Sequence, residues 1–81
     1  RAMAREVATR NITVNAVLPG YVETDIVSGI PPLAKQTILS HIPLERFGVP
    51  EDIAGMVVFL CMEEAGYITG QAICVDGGLS L

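Results

Sequence analysis

The 81-residue chain has no tryptophan, two tyrosines and two phenylalanines, and its 17% charged residues fall below the roughly one quarter of an ordinary soluble domain. With aromatics this scarce, the 51% hydrophobic content rests on Ala, Val, Ile and Leu, the small and branched mixture that fills tightly packed parallel α/β layers. Low charge combined with a mean hydropathy of +0.50 excludes intrinsic disorder. Two cysteines are too few for a disulfide-stapled mini-protein. Cys61 and Cys74 lie in apolar runs without a CxxC or a Cys/His cluster, so they indicate no zinc centre and read as buried, reduced thiols compatible with the cytoplasm. No apolar run approaches the roughly 20 residues of a membrane helix, and no signal peptide opens the chain. The sequon at Asn11-Ile12-Thr13 therefore lacks a secretory context. Basic residues are also few: the net charge of −4 and the pI of about 4.6 argue against a nucleic-acid partner.

What is present looks like a core short of a surface. A domain this small buries only about 60% of its unfolded surface, so the excess of apolar residues needs cover from an oligomer or from further chain. Arg1 begins directly in helical text with no initiator methionine or capping residue, which reads as a cut end. Met3, Val7 and the alanines give residues 1–10 an apolar stripe, Glu6 and Arg10 stand one turn apart with opposite charges, and Asn11 suits a left-handed helix cap. Ile12 to Leu18 is β-rich and almost uniformly apolar, the pattern of a strand covered on both faces, and Pro19-Gly20 stops it. From Tyr21 to Val49 runs a segment far longer than a usual connection of about 4–6 residues, with a short helical piece at Leu33 to His41; such loops are lids or binding loops. Pro50 suits the first turn of a helix reaching Met62, with Glu51 and Asp52 facing its positive end and apolar residues on nearly every side. A turn at 63–70, a second buried strand at Gln71 to Val75 and the Asp76-Gly77-Gly78 stop complete the order helix, strand, lid, helix, strand. That order is part of a doubly wound parallel α/β sheet of the Rossmann type, and the chain reads as one portion of a single such domain, its lid at about 21–49.

In open parallel sheets ligands bind beyond the carboxyl ends of the strands, which selects Pro19-Gly20-Tyr21-Val22-Glu23-Thr24-Asp25. Gly20 permits close approach to the backbone, Pro19 stiffens the turn, and the amides of Tyr21 to Thr24 are offered to a planar polar group. Thr24 reads either as a ligand-binding hydroxyl or as a helix cap. Glu23 and Asp25, on alternate positions of an extended segment, point apart and make no paired-carboxylate site.

The string Ile12 to Asp25, then Pro43-Leu44-Glu45-Arg46-Phe47-Gly48 with Pro50-Glu51-Asp52-Ile53-Ala54, then Tyr67-Ile68-Thr69-Gly70-Gln71 and Val75-Asp76-Gly77-Gly78, resembles the C-terminal third of a classical short-chain dehydrogenase/reductase, most of all the 3-oxoacyl-[acyl-carrier-protein] reductase branch. The resemblance spans essentially the whole chain. It implies that Pro19 and Gly20 shape the wall beside a nicotinamide, that Val22 backbone groups pair with its carboxamide and that Thr24 bonds to the carboxamide or pyrophosphate. NADP is the implied cofactor and NAD the alternative, the choice being made outside these residues. The lid would offer Ile26, Ile30, Leu33 and Ile38 to an acyl chain, unless these residues anchor it instead. Arg10, with Arg1 and Arg5, would dock an acidic acyl carrier protein, unless it serves the helix dipole and Glu6. Helix 50–62 and the final strand would form tetramer contacts. In some relatives an acidic residue after the Thr-Gly binds a metal; Gln71 stands there, so no metal is implied. His41 reads as a lid surface residue.

The family's Gly-rich loop, catalytic Ser and Tyr-x-x-x-Lys pair are absent from these residues, so no catalytic residue is assigned and the isolated chain is expected to be inactive. In the intact enzyme the resemblance implies that the Tyr hydroxyl protonates a ketone oxygen as hydride arrives. Two other readings stand beside a 3-oxoacyl reductase: another short-chain alcohol or sugar dehydrogenase, and a non-catalytic oligomerisation module. A Tyr-x-x-x-Lys just before Arg1 separates enzyme from module.

Overall fold

The computed structural model describes all residues from 1 to 81. Helix α1 (Ala2–Val7) tightens into a 3-10 turn at Ala8–Arg10, and Asn11 caps it in the left-handed region (φ 61°), its N–H donating to Ala8 O at 3.0 Å. Strand β1 (Ala16–Pro19) leads through residues 20–24 to α2 (Asp25–Ser28) and α3 (Pro32–Ser40), then to α4 (Pro50–Leu60) and strand β2 (Ala72–Val75). The strands pair in parallel with Ala16 opposite Ala72 and Pro19 opposite Val75, so both carboxyl ends finish side by side. The expected parallel α/β order is therefore present, with the lid and α4 as the crossover.

Strand β1 is shorter than the β-rich run predicts. Residues 13–15 are held by the turn before β2 and not by a ladder. The Thr69 hydroxyl accepts from Val14 N–H at 3.0 Å, Gly70 N–H donates to Val14 O at 2.8 Å, and the Asn15 amide bridges Ile68 O and Gln71 N–H. Regular pairing begins only at Ala16. The Glu6 and Arg10 charges do not meet, because the chain tightens to 3-10 geometry at Ala8 and loses the one-turn spacing; the ion pair that forms is Arg46 with Asp52. Nor are the two thiols buried: Cys61 and Cys74 are free and exposed.

The cause of that exposure is general. Each strand has a single partner, and only five residues of 81 are buried. The paired Val17 and Ile73 are half-buried, whereas the paired Leu18 and Cys74 face solvent, so the expectation of strands covered on both faces fails within this chain. Val57, Val58 and Phe59 leave α4 with an exposed apolar surface. The radius of gyration is 15.6 Å, against about 12 Å for a compact domain of this length. No helix is long and apolar enough to cross a membrane.

The best-packed region is the lid. Val27, Ile42 and Phe47 form its buried cluster, flanked by Ile38, Leu39 and Leu79. Leu44 N–H donates to Gly77 O at 3.1 Å, tying the lid to the turn after β2. Gly77 adopts φ 65°, and a Cβ there would lie 2.8 Å from Ile42 Cγ2, so both backbone and space require glycine.

Candidate cofactor-binding turn

All four residues singled out from the sequence, Pro19, Gly20, Val22 and Thr24, follow or end β1, beside the end of β2. Pro19 closes the ladder opposite Val75, and Gly20 N–H continues it by donating to Val75 O at 3.1 Å. Gly20 passes so near the neighbouring strand that a Cβ there would stand 2.6 Å from Asp76 Cβ and 2.9 Å from Asp76 Cα.

Val22 forms an isolated parallel bridge with Gly48. Gly48 N–H donates to Tyr21 O at 2.9 Å, and Glu23 N–H donates to Gly48 O at 2.8 Å. In a parallel pairing these neighbours' groups face the partner while those of the central residue face away. The Val22 N–H and C=O accordingly have no partner in the chain. One donor and one acceptor on the same residue match the oxygen and NH2 of a primary carboxamide. This bridge joins residues 26 apart and leaves no local signal in the sequence.

Thr24 occupies the N-cap position of α2 in extended geometry (φ −141°, ψ 175°), yet its hydroxyl makes no capping bond. Thr24 is exposed, so its Oγ1 is available to a ligand on the same turn. The observed geometry thus fits a nicotinamide with respect to both the Val22 backbone and the Thr24 side chain. The four-residue α2 itself is too short to be legible from sequence periodicity.

A cleft of about 210 Å³ lies behind this turn, lined by Tyr21, Leu44, Arg46, Gly48, Asp52 and Asp76 among others, and none of the four candidate residues lines it. Its polar wall is already occupied by internal bonds. Arg46 Nη1 donates to Asp52 Oδ2 at 3.0 Å and to Phe47 O at 3.1 Å, and Val49 N–H donates to the same Asp52 oxygen at 2.8 Å. On the opposite side, Asp76 Oδ1 accepts from Gly78 N–H at 3.0 Å and Oδ2 from Ser80 N–H at 3.2 Å.

Hydrogen bonding holds both carboxyls below their ordinary value of 3.8: for Asp52 chiefly from Arg46 and then Val49 N–H, for Asp76 chiefly from the Ser80 side chain, with the Gly78 and Ser80 N–H groups acting in the same direction. A depressed folded-state value means that the unfolded chain binds more protons in this range. The stabilisation is therefore complete above 3.8 and lost as pH falls through the folded values. Urea unfolding of the intact protein should show stability falling below about pH 4, with a shallower fall in Asp52→Asn. An identical pH slope in that variant would remove Asp52 from this role.

Among the proposed lid contacts, Ile26 and Leu33 are 83% and 81% exposed, whereas Ile38 packs on the lid core and Ile30 is half-buried. The lid anchors itself through one and offers two. His41 is exposed at the end of α3, its Nδ1 2.8 Å from Thr37 O. Arg1, Arg5 and Arg10 are exposed and outside any ion pair.

The family model described as enoyl-(acyl carrier protein) reductase matches residues 1–80. The chain is 51% identical over 79 residues to a 3-oxoacyl-[acyl-carrier-protein] reductase of Thermotoga maritima, covering 98% of this chain and 32% of that protein. Its identity to the enzyme of the same name from Aquifex aeolicus is 49%, with the same coverage. A solved mutant of a Serratia marcescens short-chain dehydrogenase/reductase superposes with a TM-score of 0.91 at 39% identity, covering 99% of this chain and 32% of that one. A Thermus thermophilus protein superposes with a TM-score of 0.88 at 43% identity, covering 98% and 34%. The chain spans about one third of the length of the curated relatives it matches.

Proposed function

Because this chain belongs to the short-chain dehydrogenase/reductase family, we propose that it is the C-terminal third of an NAD(P)H-dependent reductase converting 3-oxoacyl thioesters to 3-hydroxyacyl thioesters in fatty-acid synthesis. The observation that carries the reading is the outward-facing Val22 N–H and C=O, fixed by the Gly48 bridge. When bound, the nicotinamide supplies the hydride; this chain orients its carboxamide through Val22, adds the Thr24 hydroxyl, and walls the ring with Pro19 and Gly20. Ile26 and Leu33 on the exposed side of the lid receive the acyl chain. Likeness to the 3-oxoacyl reductases favours a ketone over the enoyl double bond named by the family model, and NADP is the proposed cofactor, with NAD the alternative.

The unpaired Arg10, with Arg1 and Arg5, is the proposed docking point for an acidic acyl carrier protein. The exposed apolar side of α4 and strand β2 are proposed tetramer contacts. Two free, exposed thiols suit a reducing compartment, and the cytoplasm is the proposed location.

The decisive assay supplies the intact protein with NADPH and either a 3-oxoacyl or an enoyl thioester. Oxidation of NADPH with the first substrate alone is expected; turnover of only the second, or of neither, overturns the assignment. Truncating Thr24 to alanine should raise the NADPH Kd about two- to tenfold, the worth of one neutral hydrogen bond. Unchanged affinity in a fluorescence titration would take Thr24 out of the site.

A further inference from the structure

We infer that Asp52, at the start of α4, is a positioning residue for the cofactor: it holds Gly48 in place and through Gly48 aims the Val22 backbone at the carboxamide, an inference resting on the function proposed above. The Val22 bridge is not part of a ladder, so its geometry depends on what fixes Gly48. On one side of Gly48, Phe47 is buried against Val27 and Ile42. Around it the chain curls about a single carboxylate oxygen. Asp52 Oδ2 accepts from Arg46 Nη1 at 3.0 Å and from Val49 N–H at 2.8 Å, the residues flanking the Phe47-Gly48 pair. Arg46 Nη1 also donates to Phe47 O, tying the intervening backbone to the same centre.

Gly48 lies directly beside this carboxylate: a Cβ on it would make ordinary van der Waals contact with Asp52 Oδ2 at 3.5 Å and with Tyr21 O at 3.6 Å. Just before the loop, Glu45 takes φ 59°, a left-handed conformation that is strained for a non-glycine residue and persists where surrounding contacts over-determine it. Asp52 itself is anchored in an eleven-residue helix, the longest in the chain. The sequence of constraints is thus α4, Asp52, residues 46–49, the two Gly48 hydrogen bonds, and the direction of Val22 N–H and C=O. Asp52 and Arg46 are 34% and 57% exposed, so the ion pair is screened and adds little as a charge interaction. Its effect is geometric.

A role of this kind acts on the nicotinamide end of the dinucleotide alone. The test compares, in the intact protein, the Kd for NADPH with the Kd for 2′-phospho-ADP-ribose, which lacks the nicotinamide ring. Asp52→Ala removes both acceptor bonds and is expected to weaken NADPH roughly tenfold while leaving 2′-phospho-ADP-ribose within about twofold. Asp52→Asn keeps an acceptor for Val49 N–H and should recover part of the loss; Arg46→Ala should resemble it. These two variants carry the test if Asp52→Ala does not fold. Should the variants weaken both ligands equally, or neither, Asp52 has no positioning role, even though the proposed function survives. Should the parent protein itself bind the two ligands with equal affinity, the nicotinamide contact is absent and the proposed function falls with the inference.

Discussion

Replacing Gly20 by alanine is expected to destabilise the intact protein by about 1–3 kcal/mol, the range for inserting atoms into a closely packed position. The upper end applies, because the new methyl group meets Asp76 Cβ at 2.6 Å and Asp76 Cα at 2.9 Å, and the latter is main chain that cannot swing aside. Relief requires the ends of β1 and β2 to separate, which breaks Gly20 N–H to Val75 O and displaces the Asp76 carboxylate from Gly78 and Ser80. The same movement carries the Val22 turn away from its bridge. Thermal melting should therefore shift down, and the NADPH Kd should rise together with it. An alanine variant that melts and binds as the parent does would show that the two strand ends are not in contact in the intact protein.

The isolated 81-residue chain is expected to give no nicotinamide-dependent turnover and no stable monomer in solution. Its accessible surface is 6209 Å², where a compact monomer of 8.6 kDa has about 4,700 Å². Much of the excess is apolar: Leu18 on β1, Val57, Val58 and Phe59 on α4, and Met62 just after it are each at least 39% exposed. A two-stranded sheet with a bare face is marginal in water, and an exposed apolar patch of this kind draws chains together. Light scattering at micromolar concentration should report large species. A monodisperse monomer would mean that the chain covers its own apolar faces in solution.

The order of elements was legible because each carries its own local pattern. Pro50 with Glu51 and Asp52 marks a helix start, Asn11 a helix end, and the β-rich run ending at Val75 a strand. The candidate site follows from one topological rule, that ligands sit beyond the carboxyl ends of parallel strands. What the sequence did not disclose depends on pairing between distant segments. Residues 13–15 have β composition yet bond to the turn at 68–71 through Thr69 and Asn15, and nothing local distinguishes that from a ladder. The Val22 to Gly48 bridge is hidden for the same reason. Asp52 reads from sequence as a first-turn acid facing a helix dipole, whereas its carboxylate also gathers Arg46 and Val49 around Gly48. Composition reports how apolar a run is and not how many layers cover it, so the cysteines read as buried whereas Cys74 lies on the bare face of the sheet beside Leu18.

On the proposed function, the turn after β1 grips the carboxamide through a backbone donor and acceptor on one residue. A crystal structure of the intact protein with NADPH would show this grip or its absence. The predicted result has Val22 N–H donating to the carboxamide oxygen, and the carboxamide NH2 donating to Val22 O, each with heavy atoms about 2.7–3.2 Å apart. A nicotinamide bound elsewhere, with Val22 N–H and C=O still unpaired or turned toward protein, would contradict it.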